Sequence, residues 1–289
     1  MFPAMTVALA TCAALPGLAS DDRHLLAALR ALGVAAEPAV WEDELYDWAG
    51  LRLCVIRSAW DYAYRRPAFV AWSRRVAAVT TLWNPAPIVE WNTHKRYLVD
   101  LAVRGVPAVP TVVLPAGSAT RLADVLREHE WEEVILKAAV AQTGRHLLRV
   151  RSTDRARGQA HLDRLLPHED MLVQPFLDAV VGAGEISLVF IDGAFSHAVR
   201  KRPAAGDFRV HDDYGGSVVA VEPAVAERAV AELAIAAAGT PLLYARADLV
   251  PGPGGPVVME LELVEPDLFL GCAPGAANRL ARAIAARLA

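Results

Sequence analysis

Residues 6–40 read as strand, helix, strand, and that succession commits the opening of the chain to a parallel sheet, because parallel neighbours need a crossover between them. Residues 6–11 are a short apolar run of strand length. Pro16-Gly17 marks a loop, and Ser20-Asp21-Asp22 is a helix cap. Leu25, Leu26, Leu29 and Leu32 follow at helical spacing until Gly33 stops the helix. Residues 34–40 are the next strand. The first twenty residues also imitate a secretory signal, being apolar and ending in small side chains. No Lys or Arg precedes the apolar run, however, which favours the buried strand. An apolar run at 51–56, a helix at 67–79 and a strand at 81–85 extend the pattern. Residues 1–88 are therefore expected to form an open α/β domain. Ligands of such sheets bind beyond the C-terminal strand ends. Arg57, Ser58, Asp61 and Tyr62 follow one of those ends and are candidate substrate contacts.

Beyond Pro85 and Pro87 the pattern changes. Helices are expected at 94–105, 119–130 and 154–166, with strands at 108–114, 133–137 and 146–150. From residue 171 the strands fall at 171–174, 185–191, 194–200, 218–221, 244–250 and 257–263, with helices at 223–238 and 274–288. This is an α+β arrangement built on antiparallel hairpins, divided into segments 89–170 and 171–289. The alanine-rich face of helix 223–238 suits a core or a dimer interface, so monomer and homodimer both stay open. No run of 18 apolar residues occurs, so no membrane span is expected. A net charge of -4 and a pI of about 6.1 argue against a nucleic-acid partner. Three distant cysteines form no metal or disulfide pattern and suit a reducing cytoplasm.

Three groups of residues could carry chemistry. Met259-Glu260-Leu261-Glu262-Leu263 alternates, so Glu260 and Glu262 share one strand face, about 7 Å apart. A divalent, oxygen-seeking cation such as magnesium would relieve their repulsion, and Asp248 could join them across a hairpin. From spacing alone, a solvated strand face explains these acids better. Lys137 ends an apolar strand beside a small-residue loop, and Lys95 opens a helix. Both positions suit phosphate, and both also suit plain surface solvation. The third group is Lys201, Arg209, Gly215 and Gly216, in a long polar connection that is either functional or a mobile basic loop. No GxSxG, HExxH or Walker motif is present.

Taken in order, the stretches KRYLVDLAVRGVPAVP at 95–110, the GE strand, basic Pro loop, GDFR and GG between 173 and 216, and RADLVPGPGGPVVMELELVEP at 246–266 resemble the ATP-grasp superfamily. The likeness is to its glutathione-synthetase and RimK-like branch, including the cyclo-ligases that form D-cycloserine. It covers residues of about 85 to 270, and residues 1–88 fit the family's pre-ATP-grasp domain. The resemblance implies ATP and Mg2+ as cofactors. Lys95 and Lys137 would contact the phosphates. Gln174, Pro175, Phe176 and Leu177 would line the adenine pocket, with Glu185 near the ribose. Arg209 and Arg246 would steady the transferring phosphoryl group or the acidic cluster. Asp248, Glu260 and Glu262 would hold magnesium. The substrate contacts would be Arg57, Ser58, Asp61, Tyr62, Lys201, Gly215, Gly216 and Glu265. This chain departs from the family in carrying Glu262 where Asn is frequent, and Glu265 near the place of a small hydroxyl residue.

The implied activity is ADP-forming ligation of a small amino-acid-like carboxylate to a nitrogen through an acyl phosphate, giving an amide, peptide or cyclic amide. The alternatives are addition of amino acids to a peptide or protein tail, and a nucleotide-binding module without turnover.

Overall fold

The structure is a computed structural model that describes residues 7–142, 144–204 and 215–288. The parallel opening is present. Strands β1 (Val7–Thr11), β2 (Ala36–Val40), β3 (Leu53–Ile56) and β4 (Thr81–Trp83) form a parallel sheet in the order β2-β1-β3-β4. Helix α1 (Ser20–Ala31) joins β1 to β2, and α2 (Arg66–Ala77) joins β3 to β4. Period-two alternation sorts the strand residues between two cores. Val7, Leu9, Leu53 and Val55 pack with Leu25 and Leu29 of α1, whereas Ala10, Cys54 and Ile56 pack with Phe69, Trp72 and Val76 of α2. Every residue of β1 is buried, as a central strand requires.

At Pro85 and Pro87, where the pattern changes, helix α3 (Ala86–Asn92) starts. Proline fixes φ at a helical value in the first turn, where its missing N–H costs nothing. Helix α4 (Tyr97–Val103) begins two residues after Lys95 rather than before it. The Lys95 amide donates to Ala139 O at 2.7 Å, which holds that residue in the turn between the two helices.

A second sheet combines β5 (Val112–Leu114), β6 (Glu133–Ala138), β7 (Leu148–Arg151) and β8 (Met171–Pro175) in the antiparallel order β5-β8-β6-β7. Helices α5 (Leu122–Glu128) and α6 (Arg155–Leu165) cover one face of it. Strand β5 is shorter than the expected 108–114, and Ala108 makes only an isolated bridge to Val258. Pro107 and Pro110 interrupt the pairing there.

After the short helix α7 (Ala179–Gly182) come β9 (Glu185–Ile191), β10 (Ala194–Arg202), β11 (Ser217–Val221), helix α8 (Val225–Ala236), β12 (Tyr244–Gly252), β13 (Gly255–Glu262) and helix α9 (Ala276–Ala286). The five strands make an antiparallel sheet in the order β11-β10-β9-β12-β13. Ala231 and Ala234 of α8 are buried against it, so the alanine-rich face serves the core. Helix α9 returns to the beginning of the chain, where Leu280, Ala281 and Ile284 share a core with α1, β1 and β3. No helix among the described residues is long and apolar enough to cross a membrane. Cys12 and Cys54 are buried and Cys272 is exposed, all three as free thiols.

Buried amides brace β13. Asn84 Nδ2 donates to Tyr244 O at 2.9 Å and Leu263 O at 2.6 Å, while Asn84 Oδ1 accepts from Leu243 N at 2.8 Å. Asn92 does the same for Leu261 O at 2.7 Å and Leu263 N at 2.8 Å. Asn84→Ala leaves one N–H and two carbonyls buried without these partners. Its expected cost is about 2–4 kcal/mol, read as a lower urea midpoint.

His197 on β10 reaches the segment after β13, with Nε2 at 2.8 Å from Leu268 O and Nδ1 at 2.9 Å from Ser196 Oγ. Burial lowers its pKa below the ordinary 6.5. Below that value the unfolded chain takes up a proton that the folded chain resists, so stability falls with pH until the lowered pKa is passed. Unfolding curves between about pH 5 and 7 are expected to show this slope, and His197→Gln to make it shallower.

Candidate active site

Alternation also decides which side chains reach the cleft between the second and third sheets. Ile186, Leu188 and Phe190 of β9, Ala245, Ala247 and Leu249 of β12, and Leu261 of β13 enter one core. Glu185 and Ser187, Arg246 and Asp248, and Glu260 and Glu262 are therefore left on the opposite face. Register then sets the neighbours. Asp248 lies between Ser187 and Glu260, Arg246 lies between Val189 and Glu262, and Lys201 lies opposite Glu185.

Ion pairs follow that grid. Arg246 grips both oxygens of Asp248, with Nε at 2.9 Å and Nη2 at 2.8 Å, and reaches Glu262 Oε1 at 2.6 Å. Lys201 Nζ bridges Glu185 at 2.5 Å and Asp248 at 3.2 Å. From the facing sheet, Val134, Leu136 and Ala138 of β6 pack under α5 and α6, which turns Lys137 toward the cleft. Lys137 Nζ meets Glu260 Oε1 at 3.3 Å, and Lys95 Nζ meets Glu260 Oε2 at 2.9 Å. Lys95, Lys137 and Glu260 thus converge, although Lys95 and Lys137 stand 42 positions apart in the chain and Glu260 lies far beyond both.

The electrostatics are strongly coupled. Burial alone would raise Asp248, but Arg246 and Lys201 hold it well below the usual carboxylate range. Burial is likewise overruled at Glu260, where Lys95 and Lys137 lower the carboxyl. At Glu262 burial prevails over Arg246, with Asp248 and Glu260 adding repulsion, and the carboxyl is pushed up to about 7. Burial lowers Lys137, and nearby Lys95 adds to the effect against the pull of Glu260.

The remaining candidates divide. Tyr62 lies close to Glu265 in the cleft, and Gln142 Nε2 donates to the Glu265 carboxylate. Burial, then Glu262, pushes that carboxyl up to about 8. Trp60 Nε1 donates to Glu265 O at 3.0 Å. Arg57 is only 1% exposed and turns inward, donating to Asp22 at 2.8 Å and to Pro266 O at 2.6 Å. Ser58 also bonds Asp22, and accepts from Ala19 N. Asp61 accepts from Trp41 Nε1 at 2.8 Å and pairs with Arg65. Ser58 and Asp61 therefore spend their polar atoms on the protein itself, whereas Arg57 leaves Nη1 buried without a hydrogen-bond partner. Gln174 donates to Thr111 Oγ1 at 2.8 Å, and Pro175 pairs with Val134. The Phe176 ring lies under the Arg149 guanidinium, 3.5 Å from its carbon, and Leu177 packs beside Val180 and Val250. Gly215, at φ +75°, and Gly216 lead into β11. Arg209 lies outside the described residues.

Asp248, Glu260 and Glu262 share one sheet face and are held by cations, Arg246 serving Asp248 and Glu262 together and Lys95 and Lys137 serving Glu260. Among the described residues no three acidic, His or Cys side chains are gathered as a metal cluster. The donor set still fits a hard cation in kind. All three offer carboxylate oxygen on one sheet face, the ligand type a hard cation takes.

Comparison with known proteins fits this layout. The family model described as D-cycloserine synthetase DcsG, N-terminal domain, matches residues 7–84, and the one described as prokaryotic glutathione synthetase, ATP-grasp domain, matches residues 101–249. The cycloserine biosynthesis protein DcsG of Streptomyces lavendulae is 37% identical over 283 residues, covering 93% of this chain and 94% of that protein. The chain belongs to the ATP-grasp family. It is an enzyme, a ligase of the kind that forms carbon–nitrogen bonds, in a family that binds ATP. The crystal structure of D-cycloserine synthetase DcsG superposes on this ATP-grasp ligase with a TM-score of 0.89 at 36% identity, covering 98% of this chain and 100% of that one. The ATP complex of the Bacillus anthracis D-alanine–D-alanine ligase shares the fold, with a TM-score of 0.70 at 13% identity over 99% and 97% of the two chains.

Sequence reasoning gave no role to Gln142 or Trp60 and read Asp22 only as a cap. Gln142 and Trp60 meet Glu265 across 123 and 205 positions, and no local pattern announces such pairs.

Proposed function

We propose that this ligase activates the carboxylate of a small amino-acid-like substrate with ATP and closes it onto a nitrogen of the same molecule, giving a cyclic amide of the D-cycloserine type. The observation that carries the reading is the convergence of Lys95 and Lys137 on Glu260, across a cleft whose other wall presents Asp248, Arg246 and Glu262. Ring closure is favoured over ligation to a tail because the relatives that match nearly the whole chain at 36% and 37% identity are named for cycloserine.

Lys95 and Lys137 would bind the triphosphate as point charges, exchanging part of their hold on Glu260 for phosphate oxygens. Gln174, Pro175, Phe176 and Leu177 would bound the adenine, with Glu185 near the ribose. Arg209 would join Arg246 in orienting the phosphoryl group. Asp248, Glu260 and Glu262 would hold magnesium, which when bound neutralises phosphate charge. Tyr62, Lys201, Gly215, Gly216 and Glu265 would bound the substrate. Arg57, Ser58 and Asp61 would support that wall from behind.

In the first step a carboxylate oxygen bonds to the γ-phosphorus and the bridging P–O bond breaks, releasing ADP. The nitrogen lone pair then attacks the acyl carbon, the C–O bond to phosphate breaks, and the nitrogen proton leaves to the released phosphate or water. The residues that would surround the γ-phosphate stabilise charge and need supply no nucleophile. Residues 1–88 are assigned to substrate, 89–170 to the nucleotide lid and 171–289 to the catalytic sheet.

The test is a screen of amino-acid-like acids read by phosphate release and product mass. ADP with phosphate and a product lighter by one water supports ring closure. A product that joins two substrates replaces it with intermolecular ligation, and AMP with pyrophosphate rejects the acyl phosphate.

A further inference from the structure

The acids of the cleft are matched with cations at every position but one. Glu185 has Lys201, Asp248 has Lys201 and Arg246, Glu260 has Lys95 and Lys137, and Glu262 has Arg246. Glu265 follows three residues after Glu262, and its carboxylate accepts from the neutral donor Gln142. Among the described residues no Lys, Arg or His forms an ion pair with it. Half-buried beside Glu262, the group carries a negative charge only at a cost, so a cation bound there is favoured.

Its surroundings are built rather than incidental. Tyr62 is 6% exposed and stacks on Phe69, at 5.1 Å between ring centroids, which fixes the hydroxyl. Trp60 holds the Glu265 carbonyl, and Gln142 approaches from the loop after β6. Two separate parts of the chain, the turn at 60–62 and Gln142, therefore set the place of this residue, and neither neutralises it.

We propose that Glu265 is a specificity-determining residue that holds the ammonium group of an amino-acid substrate, with Gln142 fixing its carboxylate and the Tyr62 ring walling the place. This rests on the ligase reading above and adds the chemical class of the substrate, a carboxylic acid that carries a free ammonium. Acids lacking that group leave Glu265 uncompensated and are rejected.

The experiment supplies magnesium-ATP and hydroxylamine, which traps any acyl phosphate as a hydroxamate, so the natural nitrogen nucleophile need not be known. D-Serine, L-serine, D-alanine and L-alanine are compared with 3-hydroxypropionate and propionate. The wild type is expected to prefer the ammonium-bearing acids at least tenfold in kcat/KM. Glu265→Gln keeps the shape and one acceptor oxygen but removes the charge. It is expected to raise KM for the amino acids roughly 10- to 100-fold, the loss of one charge-assisted hydrogen bond, with kcat within about threefold. Glu265→Asp is expected to recover part of the loss, and thermal melts confirm that both variants fold. Wild-type KM and discrimination in Glu265→Gln, or a wild type indifferent to the ammonium, overturn this assignment while leaving the ligase standing. A wild type that neither binds magnesium-ATP nor releases ADP with any acid sinks both.

Discussion

Lys137→Met is expected to lower substrate-dependent ADP release by roughly 100- to 1000-fold while leaving the protein folded, since deleting one preorganised charge from such a site costs about 3–4 kcal/mol in the transition state. Lys137 is 7% exposed near the C-terminal end of β6 and aims across the cleft at Glu260. Methionine keeps the apolar stem, so packing under the strand survives. Glu260 keeps Lys95 at 2.9 Å and is not stranded. Burial and the neighbouring ammonium of Lys95 both act against the Lys137 charge, so its removal is expected to leave the melting temperature unchanged or slightly higher. Steady-state kinetics with varied ATP and substrate, alongside thermal melts, separate the two effects. Activity within threefold of the wild type would remove Lys137 from the phosphate site.

Arg246→Met is the change expected to injure the fold most. The guanidinium holds Asp248 with two bonds, Glu262 with a third and the Asp267 carbonyl at 2.9 Å with a fourth. Without it Asp248 keeps only Lys201, and Glu262 loses its ion-pair partner among the described residues. Breaking a buried pair from one side costs about 3–5 kcal/mol, because the abandoned carboxylates remain out of water. Urea denaturation should show that loss, and the double variant R246M/E262Q should regain part of it by removing one abandoned charge. A single variant within 1 kcal/mol of the wild type would mean that water or rearrangement satisfies the acids without Arg246. That figure is about the worth of an exposed pair.

Much of this architecture can be read from local pattern. The crossover between residues 6 and 40, and the strict alternation of Glu260 and Glu262, report geometry directly, since a strand's period fixes which side chains share a face. The same alternation in β12 would have placed Arg246 with Asp248 on that face. What local pattern does not carry is the pairing of charges. That Arg57 belongs to Asp22, or that Lys95 belongs to Glu260, depends on how helices and sheets stack, and nothing within a few residues records it. Proline carries two messages. Pro85 and Pro87 mark a change of pattern, and they also open α3, because the constraint that ends a helix in its interior suits its first turn.

The placement of α9 bears on how the chain is made. Leu280, Ala281 and Ile284, close to the C-terminus, complete the core that Leu25 and Leu29 begin near the N-terminus. A ribosome releases these segments in order, so β1 and β3 emerge with one flank bare until α9 has been made to cover it. Removing residues 276–286 would thus be felt first roughly 250 positions earlier, where α1 loses its partner.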